Sequence, residues 1–287
     1  MPHVVKKIIT IKYNHNIIIN RIIIIKYGKI MINQQIYSTI KGKGLDNLDR
    51  ALFSDSHCHL YMSDNPKKTL SEAKECKVGL LIDTAVDFES SRKVVELELD
   101  HKSVLKVIGI SPEAALYDCE NIDKLQQLLE KNVIGIGEIG LDSKIIDRVP
   151  IDKQRFCFEK QLDIAVKQNI PVVIHSRGML KSVESILFEK GVKSAMFHFF
   201  EGNEDDAKRI EKNGYLISIP PLESSRFKRV IAAVDLESIV CETDFPAVGK
   251  TPCDVIKTIE NIAKIKNKDI TSIGDSITET IKDYFGV

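Results

Sequence analysis

Residues 51–287 predict an α/β protein of the (β/α)8 TIM-barrel type, on three observations. Short β-branched runs alternate with amphipathic stretches of helical length, the pattern of repeated βα units around a parallel sheet. Eight such runs fit a closed barrel better than an open doubly wound sheet. The polar residues that interrupt them gather toward their C-terminal ends, where barrel enzymes carry their chemistry. A barrel of this kind commonly fills about 250 residues. No internal sequence repeat is visible.

Taken in order, residues 1–50 stand apart. They are isoleucine-rich and carry eight basic residues before the first acidic one, Asp46. Lys12, Asn14, His15, Asn20, Arg21 and Lys26 break the apolar runs, which defeats a membrane-span reading, and no signal-peptide pattern is present. The β propensity of isoleucine allows an extra hairpin or an aggregation-prone arm. We read the segment as accessory or spurious, with Met31 as an alternative start, 41–44 as a linker, and no role for His3 or His15.

Strands are expected at 52–60, 79–85, 104–110, 133–141, 172–175, 195–200, 215–219 and 239–243. Helices fill the gaps, most clearly at 152–167 after the breaker Pro150, and two more follow the last strand, around 254–264 and 271–284. From Asp46 onward the chain has 33 basic against 41 acidic residues, since eight of the 41 basic ones precede Asp46. A net charge near −8 does not favour general nucleic-acid affinity. Six scattered cysteines without metal-binding spacing fit free thiols in a reducing, cytoplasmic setting.

The first run reads FSDSHCHL. Strand alternation sends His57 and His59 to one face and Cys58 to the other, and adds Asp55 to the metal-capable groups. The fourth run, VIGIGEIGLD, places Glu138 in apolar surroundings, where an unpaired carboxylate is costly. PVVIHSR ends in His175, with Arg177 just beyond. AMFHFF contributes His198. IVCETDFP puts Glu242 and Asp244 on one face. A single buried histidine is more often a hydrogen-bonded core residue than a ligand. Here, however, four of the five histidines outside the arm fall on predicted barrel strands, with only His101 in a polar run. Four histidines, a glutamate and an aspartate form a ligand set for two divalent ions about 3.5–4 Å apart.

DSHCHL, GEIGLD, PVVIHSR, HFFEG and ETDFP, in this order and spacing, resemble the TatD family of metal-dependent hydrolases and deoxyribonucleases, from about Phe53 to the C-terminus. The resemblance implies a TIM barrel that hydrolyses phosphodiesters with two divalent metal ions, Mg2+, Mn2+ or Zn2+. His57, His59 and Asp244 would hold one ion, His175 and His198 the other, and Glu138 would bridge them. Asp244 and Glu138 would be the catalytic carboxylates acting with a metal-activated water. Glu242 would hold a ligand imidazole in its tautomer, and Arg177 would stabilise phosphate charge. DNA is the candidate substrate; no membrane segment and no obligate protein partner are evident. Ser111, Ser143, Glu201 and the short AVGKTP loop depart from the family pattern around the substrate. They keep open a different ester or amide substrate and, third, a non-catalytic metal-binding scaffold.

Overall fold

In the computed structural model, the described residues are Lys6–Ile8, Ile22–Ile24 and 52–287 other than 131. The chain divides into Met1–Asp49 and Arg50–Val287. In the first unit, β1 (Lys6–Ile8) pairs antiparallel with β2 (Ile22–Ile24), the hairpin that isoleucine propensity allows. The linker at 41–44, Met31, His3 and His15 lie outside the described residues.

In the second unit, all eight expected strands form. They are β3 (Phe53–Cys58), β4 (Val78–Thr84), β5 (Val104–Ile108), β6 (Val133–Gly140), β7 (Val172–His175), β8 (Ala195–Phe197), β9 (Leu216–Ile219) and β10 (Ile239–Cys241). They run parallel in sequence order from β3 to β10. Several end before their apolar runs do, because the chain turns into the loops that carry polar residues. The helices between them are α1 (Pro66–Glu75), α2 (Phe88–Glu96), α3 (Ala115–Asp118), α4 (Ile122–Leu128), α5 (Ile151–Gln168), α6 (Leu180–Lys190), α7 (Glu204–Lys212) and α8 (Ser225–Ala233). Then α9 (Val255–Lys266) and α10 (Ile270–Phe285) follow the last strand. Local chemistry sets their ends: Asp87 and Ser90 cap each other at the start of α2, and Asn169 closes α5 in the left-handed conformation.

The core is the β-branched and leucine content of the strands, with Leu81, Ile82, Ile108, Ile136, Val173, Phe197 and Val240 fully buried. Glycines let strands approach closely where side chains must converge. A Cβ on Gly137 would lie 2.6 Å from that of Val173, and one on Gly140, at φ 148°, would lie 1.8 Å from the His175 carbonyl oxygen. The Glu138 strand can therefore lie tight against the His175 strand.

The seam between β3 and β10 is thin. Asp244 N donates to His57 O at 3.0 Å, and His59 N to Phe245 O at 2.7 Å. Toward the start of β3 a side chain replaces the ladder: Asp55 accepts from Thr243 N at 2.9 Å and from the Thr243 hydroxyl. Asp55 is thereby corrected from a metal-capable group to a structural one. Buried completely, its carboxyl is pushed up to about 8 against the pull of those Thr243 donors. A covalent link reinforces the same junction. Cys76, which follows α1, is disulfide-bonded to Cys253 in the 3-10 turn ahead of α9. This corrects the expectation of six free thiols; Cys58, Cys119, Cys157 and Cys241 are free. Spacing could not reveal the pair, because its members are 177 residues apart.

Candidate metal centre

Strand ends bring together all six residues named as ligands. His57 and His59 come from β3 and the turn after it, Glu138 from β6, and His175 from the end of β7. His198 follows β8, and Asp244 follows β10. Asp244 adopts a left-handed backbone, φ 49°, a conformation that aspartate tolerates better than most residues.

The group has two lobes. In one, His59 Nε2 lies 3.3 Å and His57 Nε2 3.8 Å from Asp244 Oδ1. In the other, Glu138 Oε1 lies 2.7 Å from His175 Nδ1 and 3.1 Å from His198 Nε2. The lobes meet where His57 Nε2 stands 3.7 Å from Glu138 Oε2 and the His57 ring stacks on His198 with centroids 4.2 Å apart. Ligand atoms of His57, Glu138 and His198, and of His57, His59 and Asp244, all lie within 4.8 Å of one another in each set.

Hydrogen bonds fix which nitrogen faces inward. His59 Nδ1 sits 2.6 Å from the Thr84 carbonyl, which can only accept, so the proton is on Nδ1 and the Nε2 lone pair points at Asp244. His175 lies between two carboxylates, with Nε2 3.1 Å from Asp142 Oδ2 and Nδ1 turned inward, 2.7 Å from Glu138 Oε1. Lone pairs facing carboxylates repel unless a proton or a cation lies between them. His57 carries the clearest sign: it is fully buried and neither ring nitrogen has a hydrogen-bond partner. Such an orphan costs about 1–3 kcal/mol. Two ligand atoms each about 2.0–2.2 Å from one ion stand roughly 3–4 Å apart, the spacing found here. The donor set therefore fits divalent cations.

Charges respond accordingly. Burial pushes Glu138 up, but His198 and His175 outweigh it and hold the carboxyl well below its usual range. Burial pulls His175 down, yet Asp142 and Glu138 raise it to about 9. His198 is also raised against burial, by Glu138 and then Glu242. His57 is the exception: burial, His198 and His59 hold it well below the ordinary imidazole value, so it stays neutral, the form that ligates metal.

Glu242, buried completely, accepts from Phe199 N at 2.8 Å and lies 3.7 Å from His198 Nδ1, too far for a hydrogen bond but close enough to act on its charge. Arg177 is exposed beyond β7, and among the described residues it makes no ion pair. Asp142 and Thr84, which orient His175 and His59, were not foreseen. Asp142 was visible as the last letter of GEIGLD; a backbone carbonyl such as that of Thr84 leaves no mark in a sequence.

Residues 54–286 match the family model described as TatD related DNase. The chain belongs to this family. It is 30% identical over 247 residues to an uncharacterized metal-dependent hydrolase of Methanocaldococcus jannaschii, covering 81% of this chain and 96% of that protein. It is 26% identical over 256 residues to the deoxyribonuclease TATDN3 of Homo sapiens, covering 80% of this chain and 93% of that one. Among solved structures, the TatD homologue YjjV of Escherichia coli K12 superposes with a TM-score of 0.75 at 22% identity. That match covers 83% of this chain and 99% of the other, and it shows the shared barrel fold. The chain is a TatD-type metal-dependent hydrolase, and among the described residues no helix is long and apolar enough to cross a membrane.

Proposed function

We propose that this TatD-type hydrolase cleaves phosphodiester bonds of DNA, with residues 51–287 as the catalytic domain and 1–50 as an accessory arm. In this reading His57, His59 and Asp244 hold one divalent cation, His175 and His198 a second, and Glu138 serves both. The observation that carries it is the buried, unpartnered His57 between Glu138 and Asp244, at the junction of two lobes whose other imidazoles face carboxylates. Bound there, Mg2+, Mn2+ or Zn2+ would neutralise phosphate charge and activate a water.

The chain's own residues supply the rest. Asp244, 9% exposed, orients the attacking water and takes its proton. Thr84 O and Asp142 hold His59 and His175 in the tautomers that leave one nitrogen bare. Glu242, whose carboxyl burial pushes up, stands 3.7 Å from His198 Nδ1 and steadies that ring. Arg177, exposed beyond β7 and close enough to Asp142 to help lower its carboxyl, is placed to meet a phosphate oxygen. The deoxyribonuclease name of the human relative supports DNA as substrate. Four free thiols favour a cytoplasmic setting, in which Cys76–Cys253 would be the exception.

A second reading, an uncharged ester or amide substrate, draws on Glu201, an exposed carboxylate just beyond His198 without a side-chain partner among the described residues. Assays on single- and double-stranded DNA with Mg2+, Mn2+ and Zn2+, beside a panel of simple esters and amides, separate the two. Metal-dependent release of nucleotides is expected. Turnover of esters or amides with none on DNA would overturn the DNA reading.

A further inference from the structure

The turn after β3 lacks a cap of its own. A 3-10 turn, Leu60–Met62, begins immediately after His59, which stands at its N-cap position. An N-cap side chain ordinarily accepts from the N–H of the second or third residue of the turn. His59 makes no such bond, because its ring is engaged elsewhere. Nδ1 lies 2.6 Å from the Thr84 carbonyl oxygen, and Nε2 lies 3.3 Å from Asp244 Oδ1. One imidazole cannot both cap the turn and face the centre.

The missing acceptor comes from the neighbouring strand. Asp83, on β4 and fully buried, accepts from Tyr61 N, the second N–H of the turn, at 3.1 Å. Its other oxygen, Oδ2, has no hydrogen-bond partner. Lys106, level with it on β5, donates instead to Val95 O at 2.6 Å. Burial pushes the Asp83 carboxyl up to about 7, and the Tyr61 N–H, then His59 and the Leu60 N–H, pull it back. A buried carboxylate with so few partners is costly. Packing alone would favour an apolar residue here, like Leu81 and Ile82 just before it.

We infer that Asp83 is a positioning residue of the His57–His59–Asp244 lobe: by capping the Leu60–Met62 turn from β4, it fixes the backbone that presents His59. Thr84, the next residue of β4, holds the His59 ring, so adjacent residues of one strand secure the imidazole and the turn behind it. The third anchor lies across the seam, where His59 N donates to Phe245 O at 2.7 Å, beside Asp244. Metal sites keep their affinity only while ligands stay within about 0.5 Å of the productive geometry. A turn released from Asp83 therefore costs affinity at this lobe and not at the other. What Asp83 supplies is an acceptor rather than a charge. The role rests on the reading of His57, His59 and Asp244 as ligands of one cation.

The test is the Zn2+ affinity of the full chain, read by competition with a chromogenic chelator, for the wild type, Asp83→Val, Asp83→Asn, His59→Ala and the double variant of Asp83→Val with His59→Ala. Asp83→Val is expected to weaken one of two sites about tenfold or more, the scale of losing a group that orients a ligand, and to spare the other. Asp83→Asn, which keeps an acceptor without the charge, restores wild-type affinity. In His59→Ala one site remains, and adding Asp83→Val leaves it unchanged. A merely structural role would not single out one site or vanish with His59. Asp83→Val that keeps both affinities, lowers both equally, or weakens the site left in His59→Ala would overturn the proposal, as would Asp83→Asn no better than Asp83→Val. If circular dichroism shows Asp83→Val unfolded, the smaller Asp83→Ala takes its place; unfolding of both would assign Asp83 to the fold at large and overturn the role. Failure of the ligand reading has a different signature: His59→Ala then removes no ion that the wild type binds.

Discussion

The two lobes of the centre are built on different supports. The Glu138–His175–His198 lobe stands on three consecutive, well-paired strands, β6, β7 and β8, and each imidazole there has a carboxylate behind it, Asp142 or Glu242. The His57–His59–Asp244 lobe sits on the β3–β10 seam, where two main-chain hydrogen bonds, the Asp55–Thr243 bridge and a nearby disulfide take the place of a ladder. His59 is oriented by a carbonyl rather than a carboxylate. The contrast teaches that one lobe is positioned by electrostatics within a rigid sheet, and the other by how well the barrel closes. Changes to charge should therefore act on the first, and changes to the seam on the second.

The largest effect falls where the seam meets the chemistry. Asp244→Asn is expected to lower turnover on the order of 10³-fold or more while leaving the circular dichroism spectrum unchanged. Undiminished turnover would remove Asp244 from the mechanism. Next comes the covalent brace. Cys76→Ser is expected to cost about 2–4 kcal/mol in urea unfolding, since the cross-link closes a long loop between the connections that follow β3 and β10. A midpoint that does not move would show that the seam needs no brace.

On the other lobe, Asp142→Ala should weaken metal affinity about 10–100-fold by releasing the His175 ring. Competition with a chromogenic chelator reads this directly. Equal weakening by Asp142→Ala at both sites would break the distinction between the lobes. The smallest expected change is Thr243→Val, which removes one donor to the buried Asp55 carboxylate and should cost about 1 kcal/mol with little effect on Asp142-supported binding.

The barrel was legible because each strand is a short β-branched run bounded by polar residues, and the six candidate ligands because histidines and carboxylates stand out in apolar strands. The supporting groups were less visible. Asp142 follows its strand and carries no signal of its own beyond the motif text. Asp55 obeys the alternation that marks His57 and His59, so periodicity counts it as a ligand; only closure of β3 against β10 shows that Thr243 claims it. The Cys76–Cys253 bond depends on where α1 ends and where the chain re-enters α9, a tertiary matter that residue spacing does not encode.

The central claim, one centre with two unlike metal lobes, is tested most directly by counting bound divalent ions in protein purified without chelators, for the wild type and for His59→Ala. Two ions per chain in the wild type and about one in His59→Ala, with the Asp142-backed lobe still loaded, is the expected result. A wild type that carries no divalent ion, or a His59→Ala protein that keeps both at undiminished affinity, would contradict the account.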